Sequence, residues 1–359
     1  MGQSPLAGDE AAVRELLASS YGLAPERLAS VDLLEASVMN PNYVVTVAGG
    51  GRAGNGGRDA AGGAVPAELL VVRCFRRNRD RPRIEFQMRL HEALREAGFP
   101  VARVRLNERG QRLTLHGGRA WAVYDWVAGD DHDYGRLDQV RASARLLAEL
   151  HDFLGRAVVA GYVEPPGFIP YPAWAAAGRL LLTEAFTEDW ARPLSDAERA
   201  TMLDAHRYMI ERLPARAYAA LPKQLVWGDF HGRNLKYDGA VVTGLFDLDV
   251  VRWESPLYDL ATGIYMFGRT SRADPTIRLD HVAELIRAYA ARRPLTEMQA
   301  AAVLPLLVHR YAPDIIETDF IPPGSDLLHE IQRSARILGA MLRVAEPLEA
   351  ILVEAAGRA

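Results

Sequence analysis

The chain has 359 residues, with 42 basic and 46 acidic side chains giving a formal charge of −4. Apolar residues at 49% and charged residues at 25% are ordinary globular usage, which rules out wholesale disorder, and the near-even charge rules out a nucleic-acid or anionic-membrane binder that relies on bulk charge. The length exceeds what one compact core usually fills, so two lobes are expected.

Only two of the basic residues are lysines, Lys223 and Lys236. The N-terminal half therefore cannot hold a phosphate-binding loop of the GxxxxGK[ST] type or a lysine Schiff base. Cys74 is the single cysteine, which excludes an intrachain disulfide and multi-cysteine metal sites; in LLVVRCF it reads as a small buried hydrophobe. The N-terminus has no basic segment followed by an apolar one, and no apolar run approaches a membrane span. The expectation is a cytoplasmic protein without nucleic-acid or membrane partners, either a monomer or a homodimer.

In chain order, residues 10–20 form an amphipathic helix. Short β-like runs follow: VDLLEAS, NYVVTV, ELLVVRCF, ARVRLN, RLTLH and AWAVYDWV, separated by turn formers. One helix interrupts them, with Ile84, Met88, Leu90 and Leu94 at helical spacing, ending at Gly98 with Pro100 beyond. Residues 48–63 contain Gly49, Gly51 and Gly54, a formal GxGxxG. That fingerprint must leave a strand and open a helix. Here it joins two strand-like runs, so a flexible hairpin loop is expected.

After about residue 135 long helices dominate: Leu137–Phe153, Tyr171–Phe186, Ser195–Leu213, His281–Arg292, Thr296–Tyr311 and Leu327–Glu354. A β insertion at 224–250 breaks this half. The fold class expected is α+β: a small antiparallel β-rich lobe with one helix, residues 1–127, then a larger mainly helical lobe, residues 128–359.

The chemistry is concentrated in QLVWGDFHGRNLKYDGAVVTGLFDLDVVRWESPLYDL, residues 224–260. An apolar strand end runs into Asp229, with Asn234 five residues on. A second strand, VVTGLFDLD, is expected to present Asp247 and Asp249 on one side by alternation, unless it ends first. A loop Asp, an Asn and a strand-end Asp suit a hard, oxygen-ligated cation such as Mg²⁺. Phosphoryl transfer needs this kit: a carboxylate for the attacking hydroxyl, and an amide plus a carboxylate for the metal on the phosphates. Each acid alone reads equally as a turn former or cap.

GDFHGRN, LFDLD and SPLYDLA together resemble the aminoglycoside phosphotransferase and choline kinase superfamily, including type II homoserine kinases, with its GDxHxxN, IDxD and DPxxDLA pattern. YDWVAG, LLAELHDF and EALREAGFPVARV extend the resemblance over most of the chain. It implies a bilobal protein-kinase-like fold, ATP or GTP, and Mg²⁺. It implies Asp229 as catalytic base, with Asn234 and Asp247 as metal ligands. Asp249 is a candidate for metal or substrate support. His231 either shapes the loop or takes part directly, and Asp259 ties the loop to the next helix. In the first lobe it implies Asn42 in a glycine-free turn over the phosphates. Arg73 stands at the usual lysine position with Glu85 as its ion-pair partner, and Tyr124, Asp125 and Trp126 fall in the hinge that receives the base. Two departures stand out: Arg73 itself, and Trp227 where the family usually has histidine.

For the acceptor, Asp130, Asp131 and Asp133 follow the hinge, and Asp314, Glu317 and Asp319 follow a late helix. If they face the site, they favour a cationic acceptor; otherwise they are a solvated acidic surface. The leading expectation is a kinase acting on a hydroxyl of an antibiotic or natural-product intermediate. The alternatives are a metabolic kinase for homoserine or another amino alcohol, a nucleotide-binding pseudokinase and, remotely, a DxD glycosyltransferase.

Overall fold

The computed structural model describes residues 7–34, 40–49, 67–76, 80–157, 160–165, 169–311 and 327–357. By internal contacts the chain divides into two compact units, Met1–Ala128 with Val159–Val163, and Gly129–Val158 with Glu164–Ala359. The run at 48–63 falls almost wholly outside the described residues, as do Asp314, Glu317 and Asp319.

The first unit is an antiparallel sheet between two helices. Helix α1 (Ala7–Tyr21) precedes β1 (Leu28–Leu33), β2 (Asn42–Val47) and β3 (Glu68–Phe75); α2 (Arg81–Glu96) precedes β4 (Val104–Arg105), β5 (Thr114–His116) and β6 (Arg119–Asp125). The strand order is β1-β2-β3-β6-β4, with β5 also on β6. Side-chain alternation sorts the residues between the faces. Leu70, Val72 and Cys74 of β3 join Val13, Leu16 and Leu17 of α1, while Ala122 of β6 meets Ile84 and Met88 of α2. Asp9, almost buried, fastens α1 to the sheet by accepting from Tyr43 (3.0 Å) and pairing with Arg119 (2.8 Å) and Arg76.

The second unit is helical with two small two-stranded antiparallel sheets, one of them a hairpin. Helices α3 (Leu137–Leu154), α4 (Tyr171–Ala185), α5 (Asp196–Arg212) and the short α6 (Ala215–Ala219) lead to β7 (Gln224–Val226), β8 (Leu235–Asp238), β9 (Val241–Leu245) and β10 (Arg252–Glu254). Helices α7 (Leu257–Gly268), α8 (Leu279–Ala290), α9 (Glu297–Tyr311), α10 (Leu327–Arg343) and α11 (Ala345–Gly357) complete it. Every residue of α7 except Met266 is buried, as expected of a helix that is apolar all round. It packs against α8 and α9, and Phe230 of the loop at 227–234 rests on it. No helix among the described residues is long and apolar enough to cross a membrane.

The fold class is the α+β arrangement expected, and most helices lie within two or three residues of their expected bounds. One expectation is corrected: Leu327–Glu354 is two helices, broken at Val344. Pro347 has no N–H to give the carbonyl four residues back, so the helical ladder lapses there and restarts.

Candidate active site

The site of the second unit is built where β7 ends. Gly228 turns the chain with φ +85°, and a Cβ there would lie 2.4 Å from the carbonyl oxygen of Val250, so only glycine fits. Asp229 follows, then Phe230, packed on Phe267 of α7 with ring centroids 4.8 Å apart. A single tight turn, Gly232–Asn234, brings Asn234 back beside Asp229. The Asn234 side-chain amide donates to Asp229 Oδ2 (3.0 Å) and to its carbonyl (3.1 Å), while His231 Nε2 lies 3.1 Å from the same Oδ2. Arg310, in the last turn of α9, faces the other oxygen, Oδ1, at 3.8 Å. Burial would raise the Asp229 pKa, but His231, Arg310 and Asn234 outweigh it and hold the carboxyl well below the usual range.

Hairpin β8–β9 carries the second half of the site. Leu235 pairs with Leu245, and the Phe246 N–H donates to the Asn234 carbonyl at 2.9 Å, so Asn234 and Asp247 leave adjacent strands side by side. Alternation does not place Asp247 and Asp249 as expected, because β9 ends at Leu245. Asp247 then takes a left-handed conformation, φ 62°, alone in this among the described non-glycine residues. That conformation costs about 1–2 kcal/mol for a side-chain-bearing residue. Trp227 and Asp249 both contact it. The buried indole of Trp227 donates to the Asp247 carbonyl at 2.7 Å, and the Asp249 N–H donates to its carboxylate at 3.3 Å. The tryptophan that departs from the family pattern thus has a geometric task of its own.

Asp259, fully buried in the first turn of α7, accepts the backbone N–H groups of Trp227 (2.8 Å) and Gly228 (2.7 Å). His151 of α3 lies 3.1 Å from the same carboxylate, with its other ring nitrogen 2.9 Å from the Tyr289 hydroxyl. Burial pushes the His151 pKa down despite the pull of Asp259, so the ring is neutral, donating to Asp259 and accepting from Tyr289. The strand exit is therefore pinned from α3, α7 and α8.

The other expected residues lie in both units. In the first unit, Asn42 and Arg73 are opposite one another across β2 and β3. Arg73 lies over Phe75 at 5.5 Å and acts on the charge of His91. Glu85 bonds Arg81 at 2.8 Å, one turn earlier on α2, where the expectation had paired it with Arg73; the local i,i+4 contact prevails. Tyr124 donates to Met88 Sδ (3.8 Å), Asp125 accepts from Arg105 (2.6 Å), and Trp126 is exposed. In the second unit, Asp130 pairs through its backbone with Tyr237, and Asp131 is 83% exposed and paired with Lys236 at 2.6 Å. Among the described residues no three His, Cys, Asp or Glu side chains gather to hold a metal. Arg310 was missed by sequence reasoning, which took only acidic residues from that stretch. The available signal was an arginine closing the long apolar run of α9.

Comparison with known proteins fits this geometry. Residues 61–295 match the model of the phosphotransferase enzyme family (APH). A homoserine kinase of Methylobacillus glycogenes is 30% identical over 210 residues, 58% of this chain, and the match spans only 60% of that kinase's length. A microcompartment-associated aminopropanol kinase superposes with a TM-score of 0.64 at 18% identity, covering 95% of this chain and 98% of its own. An amicoumacin kinase in complex with AMP-PNP and Ca²⁺ gives 0.60 at 16% identity, covering 92% and 93%. At such identities these two likenesses speak for the fold alone.

Proposed function

Since the chain belongs to the phosphotransferase enzyme family, we propose that it transfers the γ-phosphoryl group of ATP or GTP to the hydroxyl of a small molecule. The observation that carries this reading is the division of labour on Asp229. Its Oδ2 is occupied by Asn234 and His231, which leaves Oδ1 to accept the hydroxyl hydrogen of an acceptor. The carboxylate orients that hydroxyl for in-line attack. The new bond joins acceptor oxygen to phosphorus, the bond from phosphorus to the β–γ bridging oxygen breaks, and the proton passes to Asp229 as the nucleoside diphosphate leaves.

Asn234 and Asp247 fit a magnesium ion by donor chemistry. The Asn234 NH₂ is engaged by Asp229, which leaves its amide oxygen, and Asp247 adds a carboxylate. One or two protein oxygens beside substrate phosphates is how Mg²⁺ is usually held. Bound there, the ion would neutralise charge on the phosphate oxygens. We further assign Arg73 and Asn42 to nucleotide contacts, with arginine supplying the charge usually given by lysine.

For the acceptor we favour an amino alcohol of the homoserine type, supported by the 30% identity to a homoserine kinase. An antibiotic or natural-product acceptor is the second reading, supported by family membership. The test is nucleotide consumption with ATP or GTP over homoserine, amino alcohols, choline, aminoglycosides and peptide antibiotics, followed by Asp229→Asn with the best acceptor. Turnover should fall by about a thousandfold or more. Turnover retained in that variant would remove Asp229 from its assigned role.

A further inference from the structure

Residues 129–134, which open the second unit, grip the chain on both sides of Asn234. Three residues after Asn234, Tyr237 of β8 pairs with Asp130: the Asp130 N–H donates to the Tyr237 carbonyl at 2.7 Å, and its carbonyl accepts from the Tyr237 N–H at 3.0 Å. Two residues before Asn234, Gly232 abuts His132. A Cβ added at Gly232 would stand 2.5, 2.6 and 2.7 Å from Cβ, Cγ and Cδ2 of His132. The φ of Gly232 lies outside the left-handed region, so the neighbouring ring, not the backbone conformation, is what demands glycine there. His132 is itself firmly backed. Its ring centroid lies 5.0 Å from that of Phe267 of α7, 5.8 Å from Tyr237 and 5.1 Å from Tyr134. Tyr134 in turn accepts from Arg269 on its hydroxyl and from Arg278 on its carbonyl, each at 3.0 Å. The His132 ring nitrogens are buried, and Gln139, which acts on them, is engaged by the Asp133 N–H (2.9 Å) and the Gly239 carbonyl (3.2 Å). Burial pushes the His132 pKa down to about 4, so at pH 7 an uncharged ring stands behind the turn and acts by its shape.

The turn hands this contact on to the site. The Gly232 carbonyl accepts the Leu235 N–H, and the Asn234 N–H donates to the His231 carbonyl at 3.0 Å, so a shift at Gly232 carries Asn234 with it. The Asn234 side chain spans Asp229 Oδ2 and the Asp229 carbonyl at 3.0 and 3.1 Å, and such bonds weaken steeply once misaligned. We infer that His132 is a positioning residue: through Gly232 it holds the turn from behind and sets the aim of the Asn234 amide, with its NH₂ on Asp229 and its oxygen toward the metal. The consequence for turnover rests on the assignment of Asp229 as base and Asn234 as metal ligand; the consequence for Asn234 itself does not.

Hydrogen exchange in the full chain, labelled with ¹⁵N, tests it without any ligand. The Asn234 side-chain NH₂, identified by its loss in Asn234→Asp, reports the aim of the turn, and the backbone N–H of Ile264, fully buried in α7, reports global opening. His132→Ala should speed exchange at Asn234 by about tenfold or more beyond any change at Ile264. With ATP and the best acceptor, kcat should fall about ten- to a hundredfold while the acceptor KM stays within about threefold. His132→Phe, which keeps Cβ, Cγ and a ring edge against Gly232, should regain most of both. Gly232→Ala, which leaves His132 in place and forces the turn off it, should match His132→Ala, and it decides the matter alone if His132→Ala does not fold. Equal changes at Asn234 and Ile264 would make His132 an ordinary packing residue and overturn the inference. A phenylalanine variant no better than alanine would overturn it too, as would Gly232→Ala with exchange and kcat unaltered. Asn234 loosened as expected in a chain that turns over no acceptor would leave the inference standing and defeat the proposed activity instead.

Discussion

Replacing Trp227 by phenylalanine removes one N–H donor and little else from the wall of the site. The indole donates to the Asp247 carbonyl at 2.7 Å, and Asp247 sits at φ 62°, where a residue with a side chain is disfavoured. A lost hydrogen bond of this kind costs about 1–1.5 kcal/mol, of the same order as the strain it opposes. The ratio of the left-handed conformer to its alternatives should therefore fall about five- to tenfold, taking the aim of the Asp247 carboxylate with it. Because Trp227 is fully buried, the smaller ring also leaves a void, costing global stability a further ~1–3 kcal/mol. The two effects are separable. Half-saturating Mg²⁺ in steady-state turnover and calorimetric binding of the Mg²⁺-nucleotide report the first, and thermal denaturation reports the second. The expected result is metal–nucleotide binding weakened by up to about tenfold, with most of it regained in Trp227→His, which keeps a ring N–H. A phenylalanine variant that is less stable but has unchanged metal dependence would refute the reasoning, as would a histidine variant no better than phenylalanine.

Two further expectations concern the frame. Asp259→Asn keeps the shape but turns an NH₂ toward donors at 2.7, 2.8 and 3.1 Å, so stability should fall by about 3–5 kcal/mol in urea melts; a loss under 1 kcal/mol would deny that the carboxylate pins the strand exit. His309 is fully buried, and burial, aided by Arg252, Arg310 and Lys223, pushes its pKa down to about 3 even though it donates to the Ile169 carbonyl. Between pH 6.5 and about 3 the unfolded chain binds a proton there that the native chain does not, so stability is full above pH 6.5 and declines below it. From pH 7 to pH 5 the loss from this group is about 2 kcal/mol. His309→Gln should lose that much less over the same interval, and an identical pH slope in the variant would contradict a neutral native His309.

What the sequence disclosed and what it withheld divide by range of interaction. Asp229 and Asn234 are legible because the contact between them spans five residues and depends on a turn that the spelling GDFHGRN itself dictates. The helices are legible because apolar spacing and caps are local. Asp247 was found, but its posture was not, since alternation holds only while a strand lasts and β9 stops at Leu245. The break at Val344 was visible in advance in Pro347. The pairing of Glu85 went to the nearer arginine, Arg81, as a four-residue helical spacing would favour. Arg310 could not have been placed beside Asp229 by any local rule, because 81 positions separate them and only the packing of α9 against α7 brings them together.

The sign of the acceptor shows why charge must be weighed by exposure and distance rather than by number. The acids along the chain, Asp131 among them, left two readings open, a cationic acceptor if they face the site or a solvated acidic surface if they do not. Yet Asp131 is 83% exposed and already paired with Lys236, in a setting where an ion pair contributes about 0–1 kcal/mol and salt screens the rest. Arg310 is 21% exposed and stands 3.8 Å from the oxygen that is to meet the acceptor. At that distance and burial the same unit of charge acts several times more strongly. The exposed, paired Asp131 therefore carries less weight near Asp229 than its charge suggests, while Arg310 acts on that carboxylate directly.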